Sequence, residues 1–228
     1  MSNDHFKCIG RIKNIPDYAQ WATEQAAPTN INTALMLPEV RQTRIAIRTK
    51  IATELAQRHG YDNTDVVGED PLDYTKWKIT DYSVVHRIAD LLGLTKAIGR
   101  VQIQSPGQMV MPHCDDLSKT YVGELADVEH YHHVSLDAAD RARFAANPRS
   151  ATRILIMLQD WRIGQGFGTE QGVITHWQRG DIFAWDWPTV VHSTFNNGYW
   201  PRSLLRITGM TTDRWQDLLE ADFTMEYQ

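Results

Sequence analysis

The chain has 228 residues, 42% of them apolar, and carries a formal net charge of −5 with a sequence pI near 6.0. This length can bury a substantial core, and one domain spanning residues 1–228 is the simplest arrangement. The acidic balance argues against a broad electrostatic attraction to nucleic acid or to an anionic membrane. We therefore expect a small-molecule partner, and the sequence leaves the oligomeric state open.

Targeting and redox signals indicate a cytoplasmic protein. The longest apolar runs, such as Ile154 to Leu158, are far shorter than a bilayer span, and the first ten residues lack a basic segment followed by an apolar one. Cys8 and Cys114 are the only cysteines, too few for a disulfide framework in a chain of this size. We expect both thiols to be reduced.

Residues 1–99 are predicted to form mainly helical support. Within 38–60, isoleucine and leucine recur at every fourth position among charged and glutamine side chains, which indicates an amphipathic helix. A second apolar stripe, from Val84 to Leu92, stops at Gly93 and predicts another helix. We expect these two helices to buttress a sheet formed by the rest of the chain.

The periodicity changes at Arg100, where apolar and polar residues begin to alternate. Short strand-like runs then follow up to residue 212, separated by glycine, proline and asparagine. The polar segment 117–150 interrupts them, and we interpret it as a partly helical insertion that could act as a lid. Residues 213–228 are predicted to form a closing helix, with Asp213 as its N-cap, and a tail. This order of elements predicts an α+β fold with a β-sandwich or barrel at its centre.

The segment "MPHCDD" (residues 111–116) places a histidine and an aspartate two positions apart in a run that reads as a strand. Alternate side chains of a strand point to the same face, so His113 and Asp115 are expected to enter one cavity. An imidazole and a carboxylate that converge in this way supply two ligands of a metal site. We predict that His192, in a later strand-like run, is the third ligand.

Two metal chemistries fit a site of two histidines and one carboxylate. Iron bound on one face by these groups keeps several coordination positions open, as in non-haem Fe(II) oxygenases. Tetrahedral zinc would keep only one coordination position open. The next strand bears on this choice, because four residues alternate on one of its sides: Arg202, Leu204, Arg206 and Thr208. If that side faces the cavity, at least one of the two arginines needs an anionic partner. A carboxylate co-substrate would provide it.

These residues carry a resemblance to a known superfamily. An H-x-D pair (His113 and Asp115), a distal histidine (His192) and an arginine ten residues later (Arg202) resemble the Fe(II)/2-oxoglutarate-dependent oxygenases, over about residues 100–212. The segment "GDIFAWDWPTVVHSTFNNGYWPR" is also similar to the distal part of the aspartyl/asparaginyl β-hydroxylase family. That family lacks the carboxylate ligand that Asp115 supplies here. We therefore carry over the superfamily chemistry and not the substrate of that family.

The resemblance implies a double-stranded β-helix, or jelly roll, with its core in residues 100–212. It implies that three side chains bind Fe(II): His113, Asp115 and His192. It further implies that 2-oxoglutarate and O2 are co-substrates, and that Arg202 forms a salt bridge with the distal carboxylate of 2-oxoglutarate. The implied activity is hydroxylation of a small-molecule, amino-acid or peptide substrate, with release of succinate and CO2.

Several assignments stay open at this point. Arg206 could hold the co-substrate in place of Arg202 or bind a substrate carboxylate, and Thr208 could hydrogen-bond the co-substrate carboxylate. A cupin-type metalloenzyme, an isomerase or hydrolase with zinc or manganese, would need neither an arginine at 202 nor 2-oxoglutarate. A jelly roll without catalysis would act as a binding module for a small acid. The remaining histidine cluster lies in the insertion and has no regular spacing for a second metal: His130, His132 and His133.

Overall fold

The computed structural model describes residues 6–15, 26–28, 75–79, 83–104, 106–123, 134–220 and 223–226. The helices in these ranges are α1 (Ser83–Leu91), α2 (Ala138–Ala146) and α3 (Asp213–Glu220). Two shorter helical turns, π-helical at Ser118–Val122 and 3₁₀ at Pro148–Ser150, belong to the predicted insertion. None of the described helices has the length and apolar character needed to cross a membrane.

The described strands form two sheets. The larger sheet contains, in spatial order, β12 (Phe223–Glu226), β1 (Lys7–Lys13), β9 (Asp181–Ala184), β6 (Ala151–Met157), β11 (Arg202–Thr211), β4 (Leu94–Gln104), β3 (Thr75–Ile79) and β2 (Ala26–Pro28). The smaller sheet contains β5 (Met109–His113), β10 (His192–Asn196), β7 (Gln165–Thr169) and β8 (Gly172–Ile174). Neighbouring strands run antiparallel except β1 and β12, which run parallel.

The two faces of the larger sheet have different partners. One face packs against α1 and α3 through an apolar cluster, and the other packs against the smaller sheet through a second cluster. Strand β11 shows this division by alternation, since Leu205 and Ile207 belong to the helix-side cluster while Leu204 and Met210 belong to the inter-sheet cluster. Two largely antiparallel sheets that face each other, with helices on the outside, make this α+β chain a double-stranded β-helix.

Most of the predicted elements from residue 83 onward are confirmed. The stripe from Val84 to Leu92 forms α1, and Gly93 follows it with a φ of 69°, a left-handed conformation that favours glycine at a helix end. The insertion 117–150 is partly helical in its described ranges, 117–123 and 134–150. The closing helix is α3, in which Asp213 is the first residue and not the N-cap.

The predicted support in residues 1–99 is different from expectation in its described part. The described part of residues 1–99 consists mostly of strands: β1, β2, β3 and the start of β4. Its described helix is α1. The predicted helix at 38–60 lies outside the described residues. The tail, for which no element was predicted, forms β12 beside β1. Short edge strands such as these depend on a partner strand that sequence periodicity cannot identify.

One glycine, just before β9, lies against the backbone of β1 and yields a stability prediction. Gly180 has a φ of 89°, and a Cβ atom there would lie 2.0 Å from the carbonyl oxygen of Ile12 in β1. Gly180→Ala is expected to destabilise the fold by more than the roughly 1–3 kcal/mol of backbone strain alone. Gly107→Ala is the matched control, because Gly107 has a similar φ of 82° and no atom within 4 Å of a Cβ. Urea unfolding of both variants measures the difference, and equal losses would contradict the predicted clash.

Candidate metal centre

The two predicted histidine ligands lie opposite each other on neighbouring strands. His192, the first residue of β10, is the antiparallel partner of His113, the last residue of β5. Their ring centroids are 4.5 Å apart, with an angle of 47° between the ring planes. Directly opposed side chains of an antiparallel pair share one face of the sheet. The register of two short strands therefore brings together residues that are 79 positions apart in the chain.

Asp115 lies close to the two histidines, but the strand geometry that we predicted does not place it there. Strand β5 ends at His113, so Asp115 lies in the irregular stretch that follows and the two-residue strand period does not orient it. Its backbone N–H donates a hydrogen bond to the carbonyl oxygen of Trp187 at 3.1 Å. Its carboxylate, 8% exposed, forms a salt bridge with the buried guanidinium of Arg153 in β6. These contacts, and not alternation along a strand, aim the carboxylate at the histidines.

The environment of Asp115 keeps it ionised. Burial alone would raise the pKa of this carboxyl, but the charge of Arg153, with smaller effects from His192, His113 and Arg206, lowers the pKa to about 2. Oδ1 accepts the hydrogen bond from Arg153. Oδ2 is buried, has no hydrogen-bond partner and lies 3.9 Å from Nε2 of His192. A buried, ionised oxygen without a partner is the atom that a cation would satisfy.

His192 is held in the form that a metal ligand requires. Its Nδ1 lies 3.2 Å from the carbonyl oxygen of Val190. Because a carbonyl only accepts, Nδ1 carries the proton and Nε2 has a free lone pair. Burial, with the neighbouring His113, lowers the pKa of His192 to about 4, so the ring is neutral at neutral pH. The rings of Trp185 and Phe6 pack against it, with centroids 4.9 and 5.7 Å away.

The three side chains fit a metal ion. One ligand atom from each lies within 4.8 Å of the others: His113, Asp115 and His192. For bonds of roughly 2.1 Å, ligand atoms on one side of an ion lie about 3.0–3.4 Å apart, so the widest pair must draw together by roughly 1.5 Å when an ion binds. Two imidazoles and one carboxylate on one side of the ion leave coordination positions open on the other. This donor set suits Fe(II) and also Zn²⁺.

A buried arginine lies in the same space between the sheets. Arg202, the first residue of β11, is 3% exposed and donates a hydrogen bond through Nη1 to the carbonyl oxygen of Gly166 at 3.1 Å. Its guanidinium lies over the ring of Phe167, 4.6 Å from the centroid, and 5.9 Å from the ring of Trp177. Its Nε is buried without a hydrogen-bond partner. Burial lowers the pKa of Arg202 to about 9, which leaves it a cation at neutral pH.

The other residues predicted to bind the co-substrate are buried on the same strand face. Arg206 is 8% exposed, lies opposite Arg100 of β4, and is close enough to lower the pKa of Asp115. Thr208 is 1% exposed, and its hydroxyl accepts a hydrogen bond from Nε of Arg153 at 3.2 Å. Thr208 thus has a protein partner already, whereas Arg202 retains an unsatisfied donor. The cluster His130, His132 and His133 lies outside the described residues.

Sequence reasoning missed Arg153, the partner of Asp115. The residue is 4% exposed in a strand that is buried along its whole length, Ala151–Met157. A single arginine inside an otherwise largely apolar strand is a usable signal, because a buried cation needs an anionic partner. Its parity with Leu155 and Met157, both in the inter-sheet cluster, would have placed it on the cavity side.

Fold and side-chain cluster together define a double-stranded β-helix with a candidate metal centre of two histidines and one aspartate between its sheets. Solved structures with likeness to the chain include a prolyl-4-hydroxylase of Pseudomonas putida, 12% identical, with a TM-score of 0.38 over 85% of this chain and 96% of that one. A collagen prolyl hydroxylase of Paramecium bursaria Chlorella virus-1, in complex with 2-oxoglutarate, is 12% identical, with a TM-score of 0.36 over 73% and 90%.

The structural likeness extends to cupin-fold proteins. A predicted oxalate decarboxylase of Thermotoga maritima is 13% identical, with a TM-score of 0.34 over 60% of this chain and 80% of that one. No protein-family model matches the chain, and no curated protein sequence does either. The similarity to the aspartyl/asparaginyl β-hydroxylase segment therefore stays a resemblance between short stretches of sequence.

Proposed function

We propose that the protein is a non-haem Fe(II)- and 2-oxoglutarate-dependent dioxygenase that hydroxylates a small-molecule, amino-acid or peptide substrate. The observation that carries this proposal is Arg202, a buried cation without an acidic partner among the described residues, in the interior that also holds the candidate metal ligands. An uncompensated buried charge is strongly unfavourable, and a dicarboxylate that also reaches the metal would compensate it.

The chain's own groups have separate tasks in this proposal. His113, Asp115 and His192 hold Fe(II), which supplies the oxidising chemistry with O2 and 2-oxoglutarate and releases succinate and CO2. Arg202 binds the distal carboxylate of 2-oxoglutarate with its planar fork, including the unsatisfied Nε. The indole Nε1 of Trp177, also buried without a hydrogen-bond partner, is a second donor beside Arg202.

Aromatic residues that pack against Arg202 and against His192 exclude water. Phe167 contacts the guanidinium, and the Phe6 ring lies tilted beside it with the centroids 5.1 Å apart. Trp185 stacks on Phe6 at 4.8 Å and packs against His192. All three are at most 5% exposed. A dry interior strengthens the attraction between Arg202 and a carboxylate because the local dielectric is low.

Binding of the co-substrate is the direct test. Addition of Fe(II) and 2-oxoglutarate to the protein without O2 is expected to produce the weak visible charge-transfer band of the 2-oxo acid chelate. Glutarate is the matched control, because it has both carboxylates but lacks the keto oxygen that completes the chelate. Admission of O2 and candidate substrates should then release succinate. A protein that binds Fe(II) but shows no band with 2-oxoglutarate would fit the cupin-type metalloenzyme and contradict the proposal.

A further inference from the structure

Arg153 contacts three separate elements of the fold at once. Its Nη1 donates to Oδ1 of Asp115, its Nε donates to the Thr208 hydroxyl in β11 at 3.2 Å, and its Nη2 donates to the Thr120 hydroxyl at 3.2 Å. The Thr120 hydroxyl in turn donates to the carbonyl oxygen of Asp116 at 2.8 Å, which leaves its lone pairs for Arg153. Every nitrogen of this guanidinium therefore has an acceptor.

We propose that Arg153 is a positioning residue that holds the Asp115 carboxylate so that Oδ2 alone is presented to the metal. The inference rests on the metal site of the proposed function. One carboxylate oxygen is taken by the guanidinium, and the other is buried, without a hydrogen-bond partner, and directed toward Nε2 of His192. Asp115 consequently binds the metal through one oxygen, and more positions stay open for other ligands than with a bidentate carboxylate.

Asp115 needs such a support because its own backbone does not orient it. It follows β5, and the irregular segment around it is tied to the turn before β10 by the hydrogen bond from Asp115 N–H to the Trp187 carbonyl. The side-chain torsions remain to be set. A planar guanidinium fixed by two threonine hydroxyls sets them, whereas a lysine ammonium would supply the charge without the fork.

The same arginine connects the metal centre to the insertion. Thr120 belongs to the helical turn Ser118–Val122 at the start of segment 117–150. A shift of that turn would move the acceptor of Nη2 and, through the rigid guanidinium, the oxygen that Asp115 offers to the metal. Arg153 is therefore a hydrogen-bonded link between the start of the insertion and the candidate ligand Asp115.

Mn²⁺ titration of the metal-free protein tests the inference without relying on activity. Arg153→Lys keeps the positive charge and removes the fork, and we expect it to weaken Mn²⁺ binding by about 10- to 100-fold. Arg11→Lys is the matched control, because Arg11 donates a 2.6 Å hydrogen bond to Asp181, which is not one of the candidate ligands. This variant should bind Mn²⁺ like the unmodified protein. Thr208→Val removes one support of the guanidinium and should give a smaller loss.

A spectroscopic readout separates positioning from a structural role. The visible spectrum of the Co²⁺-loaded protein reports coordination number, and it should change in Arg153→Lys as Asp115 becomes free to bind through both oxygens. Unchanged Mn²⁺ affinity together with an unchanged Co²⁺ spectrum would overturn the role of Arg153. Failure of the unmodified protein to bind Mn²⁺ would instead overturn the metal site on which the proposed function depends. If Arg153→Lys does not fold, Thr208→Val decides by the same two readouts.

Discussion

His192→Ala is expected to abolish metal binding and, with it, every metal-dependent activity. The substitution removes one of three ligands, leaving His113 and Asp115 to hold the ion. Loss of a group that merely supports a ligand costs about 10- to 100-fold in metal affinity, and loss of a ligand itself should cost more. The heat of Mn²⁺ binding in isothermal titration and the charge-transfer band with Fe(II) and 2-oxoglutarate would both be lost.

Two controls show that the effect is local. His86→Ala removes an exposed histidine of α1, on the opposite side of the larger sheet, and should leave metal affinity unchanged. His113→Ala removes the other imidazole from a half-buried position, with less loss of packing than at the buried His192. It should abolish metal binding in a protein that still unfolds cooperatively. Metal binding that survives in both His113→Ala and His192→Ala would contradict the candidate centre.

The convergence of His113 and His192 could be anticipated in part because both lie in short strand-like runs bounded by turn residues. The antiparallel register of the two strands places the histidines opposite each other. The shared direction of Arg202 and Arg206 follows from the two-residue period of a strand. Alternation therefore carries information about which face a residue occupies, even when its partner strand is unknown.

The approach of Asp115 to the two histidines could be anticipated, but the contacts that orient its carboxylate could not. The H-x-D spacing suggested a shared strand face, whereas the strand ends at His113 and long-range contacts orient the aspartate. One of those contacts comes from Arg153 in β6, 38 residues later in the chain. Local periodicity describes one element at a time and gives no information about a salt bridge between two elements.

The edges of the larger sheet could not be predicted. Strand β12, four residues long, pairs in parallel with β1, the two segments being separated by almost the whole chain. Strand β7, an inner strand of the smaller sheet, also gave no clear signal, because it contains glycines at 166 and 168, which have weak strand preference. In both cases the neighbouring strand supplies the stabilisation, so the information lies in tertiary pairing and not in the segment itself.

Arg202→Met is expected to have opposite effects on co-substrate binding and on stability. The co-substrate loses a buried charge-assisted partner, which costs about 2–5 kcal/mol and raises the 2-oxoglutarate requirement by roughly 30- to 5,000-fold. The metal-free protein loses a buried charge without an acidic partner among the described residues, and replacing such a charge by an apolar side chain of similar volume is often neutral or stabilising. Titration with 2-oxoglutarate and urea unfolding of the metal-free protein measure the two effects.

Three further variants test whether the effect is specific to Arg202. Arg162→Ala removes an arginine that stacks on the exposed Trp200 ring at 4.9 Å, and it should leave the 2-oxoglutarate requirement unchanged. Arg202→Lys should recover only part of the affinity, because an ammonium group cannot make both bonds of the guanidinium fork. Arg206→Met decides between the two arginines, since a larger loss there than in Arg202→Met would assign the carboxylate to Arg206.

A combination of lower stability and unchanged 2-oxoglutarate affinity in Arg202→Met would give Arg202 a structural role. The hydrogen bond to Gly166 and the contact with Phe167 would then outweigh the cost of burying the charge. Because a purely structural arginine and a co-substrate arginine predict opposite signs for the change in stability, the unfolding experiment discriminates even before a substrate is known. Stability that holds or rises while 2-oxoglutarate affinity falls is the combination that only a ligand-binding role explains.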